Sequence, residues 1–360
     1  MFHVKPTSRH AALRGRQVAD FDYKGYGPTP APGNRVVPRA GDIAATDHLH
    51  DHTTPLAREV AQQFTREQLA TIREPFPHPS DTRVFVVANQ KGGVGKTTST
   101  VNIAAAMALH GQRVLVIDLD PQGNASTALR VDHTEGTPGV YEAIVDGVPM
   151  AELVKPCPDI DRLLVLPASI DLAGAEIELV SLVARESRLT RSLTGYLDGL
   201  AAAGESVDYV FIDCPPSLGL LTVNALVAGR EMLIPIQCEY YALEGLGQLL
   251  RNIDLIKAHL NPTLDVSTIL LTMHDARTRL SAGVAEEVRN HFGPKVLSTA
   301  IPRSVRISEA PSYQQSVMTY DPASPGSLSY LEAAREIARS AVNHAPGDET
   351  SATSETRQES

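Results

Sequence analysis

The sequence predicts an α/β fold in which helices flank a mostly parallel sheet. Short runs of apolar, β-branched residues recur from residue 83 onward, and stretches with helical patterning separate them. Such alternation of strands and helices is typical of parallel sheets, because a crossover between parallel neighbours usually needs a helix. A glycine-rich segment directly follows the first run and leads into a helical stretch, which gives the order strand, loop, helix.

Six segments are predicted to be strands of this sheet. In chain order they are Arg83–Ala88, Arg113–Ile117, Asp208–Asp213, Met232–Ile236, Ser267–Met273 and Val296–Ile301. Their nearly continuous apolar character suits strands that are buried on both faces. A helix over Thr97–Leu109 connects the first two strands, and a helix from Tyr330 to Ala345 is predicted to pack on the core.

Composition divides the chain into three parts. Residues 1–80 contain nine of the 25 prolines and six of the 12 histidines, with little periodic apolar pattern. We predict that this leader is largely disordered, with a basic tip in its first 16 residues and a short helix over residues 56–72. Residues 81–345 are predicted to form the α/β domain, and the polar, acidic residues 346–360 a loose tail.

Composition also excludes several functional classes. The 360 residues carry a net charge of −10, so binding to nucleic acid would need a local basic patch. Cys157, Cys214 and Cys238 show no paired spacing, which argues against a disulfide framework, a zinc site or an iron–sulfur cluster. No apolar run reaches the length of a membrane span, and no signal peptide is evident. We therefore expect a soluble, cytoplasmic protein that has no membrane partner.

The strongest motif is the glycine-rich octet Lys-Gly-Gly-Val-Gly-Lys-Thr-Thr at residues 91–98. Between a strand and a helix, the backbone N–H groups of such a loop can surround a polyphosphate, and the helix N-terminus adds its positive dipole end. Lys96 is expected to reach the β- and γ-phosphates of ATP, and the Thr97 hydroxyl to hold Mg²⁺. A tight turn with chance glycines is the alternative interpretation. The predicted nucleotide-binding residues of the loop are Lys91, Gly92, Gly93, Val94, Gly95, Lys96, Thr97 and Thr98.

The octet departs from the common phosphate-loop pattern at its first residues. Gln90 stands where the common pattern has glycine, and Lys91 is an additional lysine. This is the deviant Walker A motif, and with it the chain resembles the ParA/MinD-type ATPases, which are P-loop NTPases of the SIMIBI type. In that family the additional lysine crosses a dimer interface to the partner's nucleotide. The resemblance implies this catalytic role for Lys91, whereas a solvated loop charge is the alternative.

Three aspartates follow predicted strands, and the carboxyl ends of parallel strands meet at one edge of a sheet. Asp213 ends an apolar run as a Walker B aspartate does, so it is expected to orient Mg²⁺. Asp118 is expected to support the Mg²⁺ shell. Asp120 lies in a segment that resembles the family's switch I, in which this residue polarises the attacking water. Any one of them, taken alone, could simply cap a helix or turn.

Further motifs narrow the resemblance to the chromosomal ParA/Soj subgroup, from Val84 to about Asn343. They are Asp118–Asn124, Asp213–Gly219, Gln237–Gly245 and Ile301–Pro311. The resemblance implies an ATP-dependent sandwich dimer that binds DNA without sequence preference and is associated with the nucleoid. It also implies a ParB-type partner that stimulates hydrolysis, so that replicated chromosomes, or plasmids, are moved apart.

The same resemblance implies roles for residues beyond the loop. Met273, Pro302 and Arg303 would border the adenine, and Arg277 and Arg306 would contact DNA. Both DNA candidates follow an apolar strand, so we expect them at the same sheet edge as the nucleotide. The alternative is that they are ordinary solvated charges.

Two alternative functions remain open. A MinD-like positioning ATPase would need a basic amphipathic helix at its C-terminal end, whereas here acidic residues follow the last predicted helix. A small-molecule synthetase is the other alternative, because the deviant loop occurs there too. The leader's basic tip is a candidate contact for DNA, membrane or a polar scaffold protein, and no convincing helix-turn-helix supports a sequence-specific repressor.

Overall fold

The computed structural model describes residues 74–239 and 242–342, and these contain one eight-stranded sheet. The strands are β1 (Arg83–Val87), β2 (Val114–Asp118), β3 (Lys155–Pro156), β4 (Leu163–Leu166), β5 (Tyr209–Asp213), β6 (Glu231–Gln237), β7 (Asp265–His274) and β8 (Val296–Pro302). Their order is β3-β4-β2-β5-β1-β6-β7-β8. Neighbouring strands are parallel except β3 and β4, which pair antiparallel.

Helices cover both faces of the sheet. They are α1 (Lys96–Leu109), α2 (Asn124–Ala128), α3 (Met150–Leu153), α4 (Leu172–Leu179), α5 (Arg188–Ala202), α6 (Leu220–Ala228), α7 (Ala242–His259), α8 (Arg279–Phe292), α9 (Val305–Glu309), α10 (Val317–Tyr320) and α11 (Pro325–Val342). Alternate residues of β1 enter two different cores, as the period of a strand requires. Val84 and Val86 pack into one core, and Phe85 and Val87 pack into the other together with residues of α1 and α11.

The predicted fold class and all six predicted strands are confirmed, with shifts of one or a few residues at their ends. Helix α1 is confirmed and begins one residue earlier than predicted. The sequence analysis missed β3 and β4, which have only two and four residues. Strands this short carry too few residues for a period to be recognised.

Helix α11 packs on the core, as predicted for its described residues. Tyr330, Ala333, Ala334, Ile337 and Ala338 are buried in the core that also contains residues of α1. No helix in the described part of the chain is both long and apolar enough to cross a membrane.

The packed chain begins before the domain boundary predicted at residue 81. Phe76 is buried and stacks on the ring of His110, with 4.6 Å between the ring centroids. Its backbone N–H donates to the His110 carbonyl, and Gln112 donates to the Phe76 carbonyl. The predictions for residues 1–73, including the helix over 56–72, and for the tail at 346–360 lie outside the described residues.

The sheet order brings the ends of β1, β2 and β5 together. In the registers of these pairs, Asp213 lies opposite Val87 on one side and opposite Asp118 on the other. The glycine-rich loop leaves β1 at this point, so the loop and both aspartates meet at the carboxyl edge of the sheet.

Candidate functional site

The glycine-rich loop joins β1 to α1 in a conformation that requires glycine. Gly93 and Gly95 have φ values of 73° and 90°, which side chains disfavour. Gly95 is the N-cap of α1 and supplies no side-chain cap, so the first N–H groups of the helix are suited to an anion. Gly92 and Gly93 are exposed, whereas Val94 is buried.

Neighbouring strands hold the loop from outside. The Thr272 hydroxyl donates to the Val94 carbonyl at 2.8 Å. The Asn89 side chain accepts from the Lys91 N–H at 3.0 Å and donates to the Pro235 carbonyl at 2.8 Å. The loop is therefore tied to β6 and β7 by hydrogen bonds.

Lys96 is nearly buried at the start of α1, with 7% of its surface exposed. Its Nζ atom lies 3.5 Å from the Lys91 carbonyl oxygen. Burial lowers the pKa of Lys96, while the charges of Asp213 and Asp120 act in the opposite direction. A largely desolvated ammonium of this kind interacts more strongly with a phosphate than an exposed one would.

Asp118 and Asp213 are completely buried side by side. Burial raises the pKa of Asp213 to about 8, and the charge of Asp118 adds to this effect. Burial likewise raises the pKa of Asp118 to about 6, against hydrogen bonds from Ser126, whose N–H and hydroxyl both donate at 2.8 Å. When both carboxyl groups are ionised they repel each other, and the Lys96 ammonium offsets only part of their charge.

These residues fit a magnesium ion. The Oδ2 atom of Asp213 is buried and has no hydrogen-bond partner in the described part of the chain, although buried polar atoms are normally paired. Within residues 74–239 and 242–342, no group of three or more His, Cys, Asp or Glu could hold a metal. Protein Mg²⁺ sites commonly use one or two carboxylates together with substrate phosphates and water, which agrees with this arrangement.

Thr97 and Thr98 follow Lys96 on the first turn of α1. Together with Asn124 and Thr127 of α2, they line a cavity of about 260 Å³. The predicted phosphate and metal contacts of the loop thus lie beside accessible space.

Asp120 lies two residues beyond the end of β2 and is partly exposed. Its N–H approaches Asp118 Oδ1 at 3.3 Å, and its own Oδ1 accepts from the Gln122 N–H at 3.1 Å. Its negative charge raises the pKa of Lys96, against the larger effect of burial. The structure thus brings Asp120 to the rim of the buried cluster.

The Lys91 side chain contacts an acid outside this cluster. Its half-exposed ammonium forms an ion pair with Glu239 at 3.2 Å, and the other carboxylate oxygen of Glu239 lies 3.8 Å from Arg303. One acid therefore joins two of the predicted nucleotide-site residues. The sequence analysis did not single out Glu239, although its position two residues beyond β6 is the same signal that identified Asp120 beyond β2.

The predicted adenine-site residues lie at the ends of β7 and β8. His274 pairs with Pro302, and the Arg303 N–H donates to the His274 carbonyl at 3.2 Å. Met273 adopts a φ of 50°, which is unusual for a residue with a side chain. Thr272, the residue before Met273 on β7, contacts the glycine-rich loop directly, so β7 links the loop to these residues.

The two predicted DNA-contacting arginines are exposed at the predicted edge. The Arg277 side chain is 89% exposed and binds Asp275 through two hydrogen bonds of 3.0 and 3.1 Å. The Arg306 side chain is 56% exposed and forms ion pairs with Glu309 at 3.2 Å and Asp321 at 3.4 Å. These intrachain partners were not predicted from the sequence.

A glycine-rich loop with a buried lysine, beside two buried aspartates on adjacent strands, defines a P-loop nucleotide-binding protein. The model of the family described as an AAA domain matches residues 82–266. The chain is 49% identical to the sporulation initiation inhibitor protein Soj of Bacillus subtilis, over 71% of this chain and 98% of that protein. It is 47% identical to the chromosome partitioning protein ParA of Myxococcus xanthus, over 76% and 94% of the respective chains.

The chain belongs to the ParA/Soj family of chromosome-partitioning ATPases, and it is an ATPase. Among solved structures, it is similar to cobyrinic acid a,c-diamide synthase from Mycobacterium smegmatis with bound ADP and magnesium. The sequence identity is 38%, the TM-score is 0.60, and the match covers 72% of this chain and 94% of that one.

Proposed function

We propose that this chain binds ATP and Mg²⁺, dimerises on ATP, and binds DNA without sequence preference. A ParB-type partner would stimulate hydrolysis and release from DNA, and repeated cycles would partition chromosomes or plasmids. The observation that carries the proposal is the convergence of Lys96, Asp118 and Asp213 at the glycine-rich loop, in a chain that is 49% identical to Soj.

The residues of the site divide the chemistry between them. The loop N–H groups and Lys96 would bind the β- and γ-phosphates. The Thr97 hydroxyl and Asp213, with Asp118 beside them, would hold Mg²⁺, which when bound neutralises charge on the phosphates. Asp120 would orient the attacking water from the rim of the site. Phosphoryl transfer needs little more from a protein than positioned charges and an oriented nucleophile.

Dimerisation would involve Lys91. Its side chain is 39% exposed and contacts Glu239 rather than the buried cluster, so it is accessible to a second subunit. Met273, Pro302 and Arg303 would border the adenine within the same subunit. The proposed dimer thus combines a preformed phosphate site with a lysine from the partner.

DNA binding would use Arg277 and Arg306. Because the chain carries a net charge of −10, its approach to DNA depends on local cations. Both arginines are exposed, so exchanging their carboxylate partners for phosphates needs no unfolding. The proposed location is the cytoplasm, at the nucleoid. Contact with a polar scaffold protein is a further proposal, for which the leader's basic tip is the candidate.

The decisive experiment measures size and DNA binding without nucleotide, with ADP and with ATP. We expect dimers and DNA complexes with ATP only, an affinity that falls steeply with salt, and indifference to DNA sequence, since phosphate contacts carry no base information. A footprint at one sequence, or DNA binding that is independent of nucleotide, would contradict the proposal.

Charge reversal tests the proposed DNA surface. Arg277→Glu and Arg306→Glu should each remove DNA binding while ATP-dependent dimers still form. Lys295→Glu is the matched control, because it makes the same charge change just before β8 begins, at the opposite sheet edge. Unchanged DNA affinity in both arginine variants would exclude this surface.

A small-molecule synthetase is the second candidate, and the similarity to the cobyrinic acid a,c-diamide synthase structure favours it. The two candidates differ in what stimulates ATP hydrolysis. DNA and a ParB-type protein should raise the rate for a partition ATPase, whereas a synthetase would respond to its organic substrate and would not bind DNA on ATP.

A further inference from the structure

Thr100 is the only one of the three threonines at 97, 98 and 100 that is completely buried. It lies one helical turn beyond Lys96, so both residues occupy the same face of α1. Its hydroxyl oxygen is 3.1 Å from Asp213 Oδ1 and 3.1 Å from the Lys96 carbonyl oxygen. A hydroxyl has one hydrogen, so the two acceptors compete for it.

The two oxygens of Asp213 have different surroundings. Oδ1 faces the Thr100 hydroxyl, whereas Oδ2 is buried without a hydrogen-bond partner in the described part of the chain. The Thr97 and Thr100 hydroxyls both lower the pKa of Asp213, against the larger effect of burial. A buried carboxylate oxygen that stays unpaired costs free energy. The arrangement is therefore suited to a carboxylate with one oxygen held by the protein and the other reserved for a ligand.

We propose that Thr100 is a positioning residue for the cation site: by donating to Oδ1 it fixes the Asp213 carboxylate and leaves Oδ2 available to Mg²⁺. This inference rests on the proposed function, since it assumes the magnesium site. Thr100 would not touch the cation itself, and its effect would pass through the hydrogen bond to Asp213. Partners of this kind orient metal-binding groups, and their removal typically lowers metal affinity by about 10- to 100-fold.

The test separates cation binding from nucleotide binding. Thr100→Val keeps the shape of the side chain and removes its donor, whereas Thr100→Ser keeps the hydroxyl. ATP affinity is measured for the full chain by displacement of a fluorescent ATP analogue, in EDTA and across a Mg²⁺ series. We expect Thr100→Val to need about 10- to 100-fold more Mg²⁺ for the half-maximal gain in affinity. Its affinity in EDTA should equal that of the wild type, and Thr100→Ser should restore the wild-type midpoint.

Ser99→Ala is the matched control. Ser99 is also completely buried on α1, but its hydroxyl contacts the Tyr330 hydroxyl at 3.3 Å instead of Asp213. Its removal should lower thermal stability and leave the Mg²⁺ midpoint unchanged. If Thr100→Val does not fold, Thr100→Ala provides the same measurement.

Two results would overturn the inference. One is a wild-type Mg²⁺ midpoint in the variant without the hydroxyl. The other is an equal loss of affinity with and without Mg²⁺, which would mean that Thr100 only supports the loop. If the wild-type chain itself gained no ATP affinity from Mg²⁺, the proposed function would fail first, so the two failures are distinguishable.

Discussion

The buried cluster and the exposed rim of the site are organised in opposite ways. In the buried cluster, Lys96, Asp118 and Asp213 are fixed by strand register and by hydrogen bonds from Ser126 and Thr100. On the rim, cations from three different segments of the chain each form an ion pair with an acid of the same chain. These pairs are Lys91 with Glu239, Arg277 with Asp275, and Arg306 with Glu309.

This difference agrees with the proposed division of roles, in which the buried cluster binds ligands and the rim contacts partners. Exposed ion pairs contribute about 0–1 kcal/mol each, so a phosphate can replace a carboxylate on the rim at little cost. A buried charge that lacks a partner is far more costly, so the cluster at Asp118 and Asp213 favours a cation and a nucleotide. The residues proposed to bind phosphate are therefore held in place by the fold, whereas contacts on the rim can exchange at low cost.

The largest expected effect comes from the buried lysine. Lys96→Ala should abolish tight ATP binding, because it removes the desolvated charge that faces the β- and γ-phosphates. Lys91→Ala is the matched rim variant and should bind ATP as a monomer without forming the dimer. Calorimetry for affinity and light scattering for size would check both results. If Lys91→Ala formed ATP-dependent dimers as readily as the wild type, Lys91 would have no role in dimerisation and the proposed difference between the two lysines would be wrong.

Asp120 lies between the buried cluster and the rim. The Asp120→Ala variant should bind ATP and dimerise but hydrolyse ATP slowly. Loss of the group that orients the attacking water commonly lowers the rate by about 10²- to 10⁴-fold. The variant should accumulate as a long-lived complex with DNA, measured by phosphate release and by dissociation from DNA. Turnover at the wild-type rate would assign the role to another residue.

The sequence predicted the buried region better than the rim. The octet and the aspartates were identifiable because strand ends converge in a parallel sheet, and the structure brings Lys96, Asp118 and Asp213 together. The pairing of Lys91 with Glu239 was not predicted. It depends on side-chain directions in loops that share no periodic pattern, and the same applies to Asp275 beside Arg277. Arg306 and Glu309 are three residues apart in α9, a spacing that allows an ion pair on a helix, but the sequence analysis did not predict this short helix.

The raised pKa of Asp213 predicts a pH dependence for the cation-free protein. The folded state holds this proton up to about pH 8, whereas an unfolded Asp releases it near pH 3.9. The stability that this group contributes is therefore fully present below about pH 4 and is lost as the pH rises to about 8. Asp213→Asn cannot ionise, so in EDTA its melting temperature relative to the wild type should increase across this interval.

The matched control for this measurement is Asp132→Asn. Hydrogen bonds from Thr134 hold the pKa of Asp132 below its usual value, and an unfolded Asp titrates near pH 3.9, so this exposed carboxylate is almost fully ionised in both states between about pH 5 and 8. The control should follow the wild-type pH dependence in that range. If the difference in melting temperature between Asp213→Asn and the wild type stayed constant across this pH range, Asp213 would not bind a proton in the folded state.

The smallest expected effect concerns the ion pair that holds Lys91 in its own subunit. Reaching a partner's nucleotide requires each subunit to break its contact with Glu239, and exposed pairs are worth about 0.2–1 kcal/mol. Because a dimer breaks two of them, about 0.4–2 kcal/mol in all, Glu239→Gln should raise the equilibrium constant of ATP-dependent dimerisation by about two- to thirtyfold and so lower the ATP concentration for half-maximal dimerisation. Glu205→Gln is the control, since Glu205 pairs with Arg113, which directly precedes β2 at the opposite edge of the sheet. Light scattering across an ATP series would measure the shift. An unchanged or higher ATP requirement would mean that Glu239 does not restrain Lys91 and that the rim lysine is already free to engage a partner.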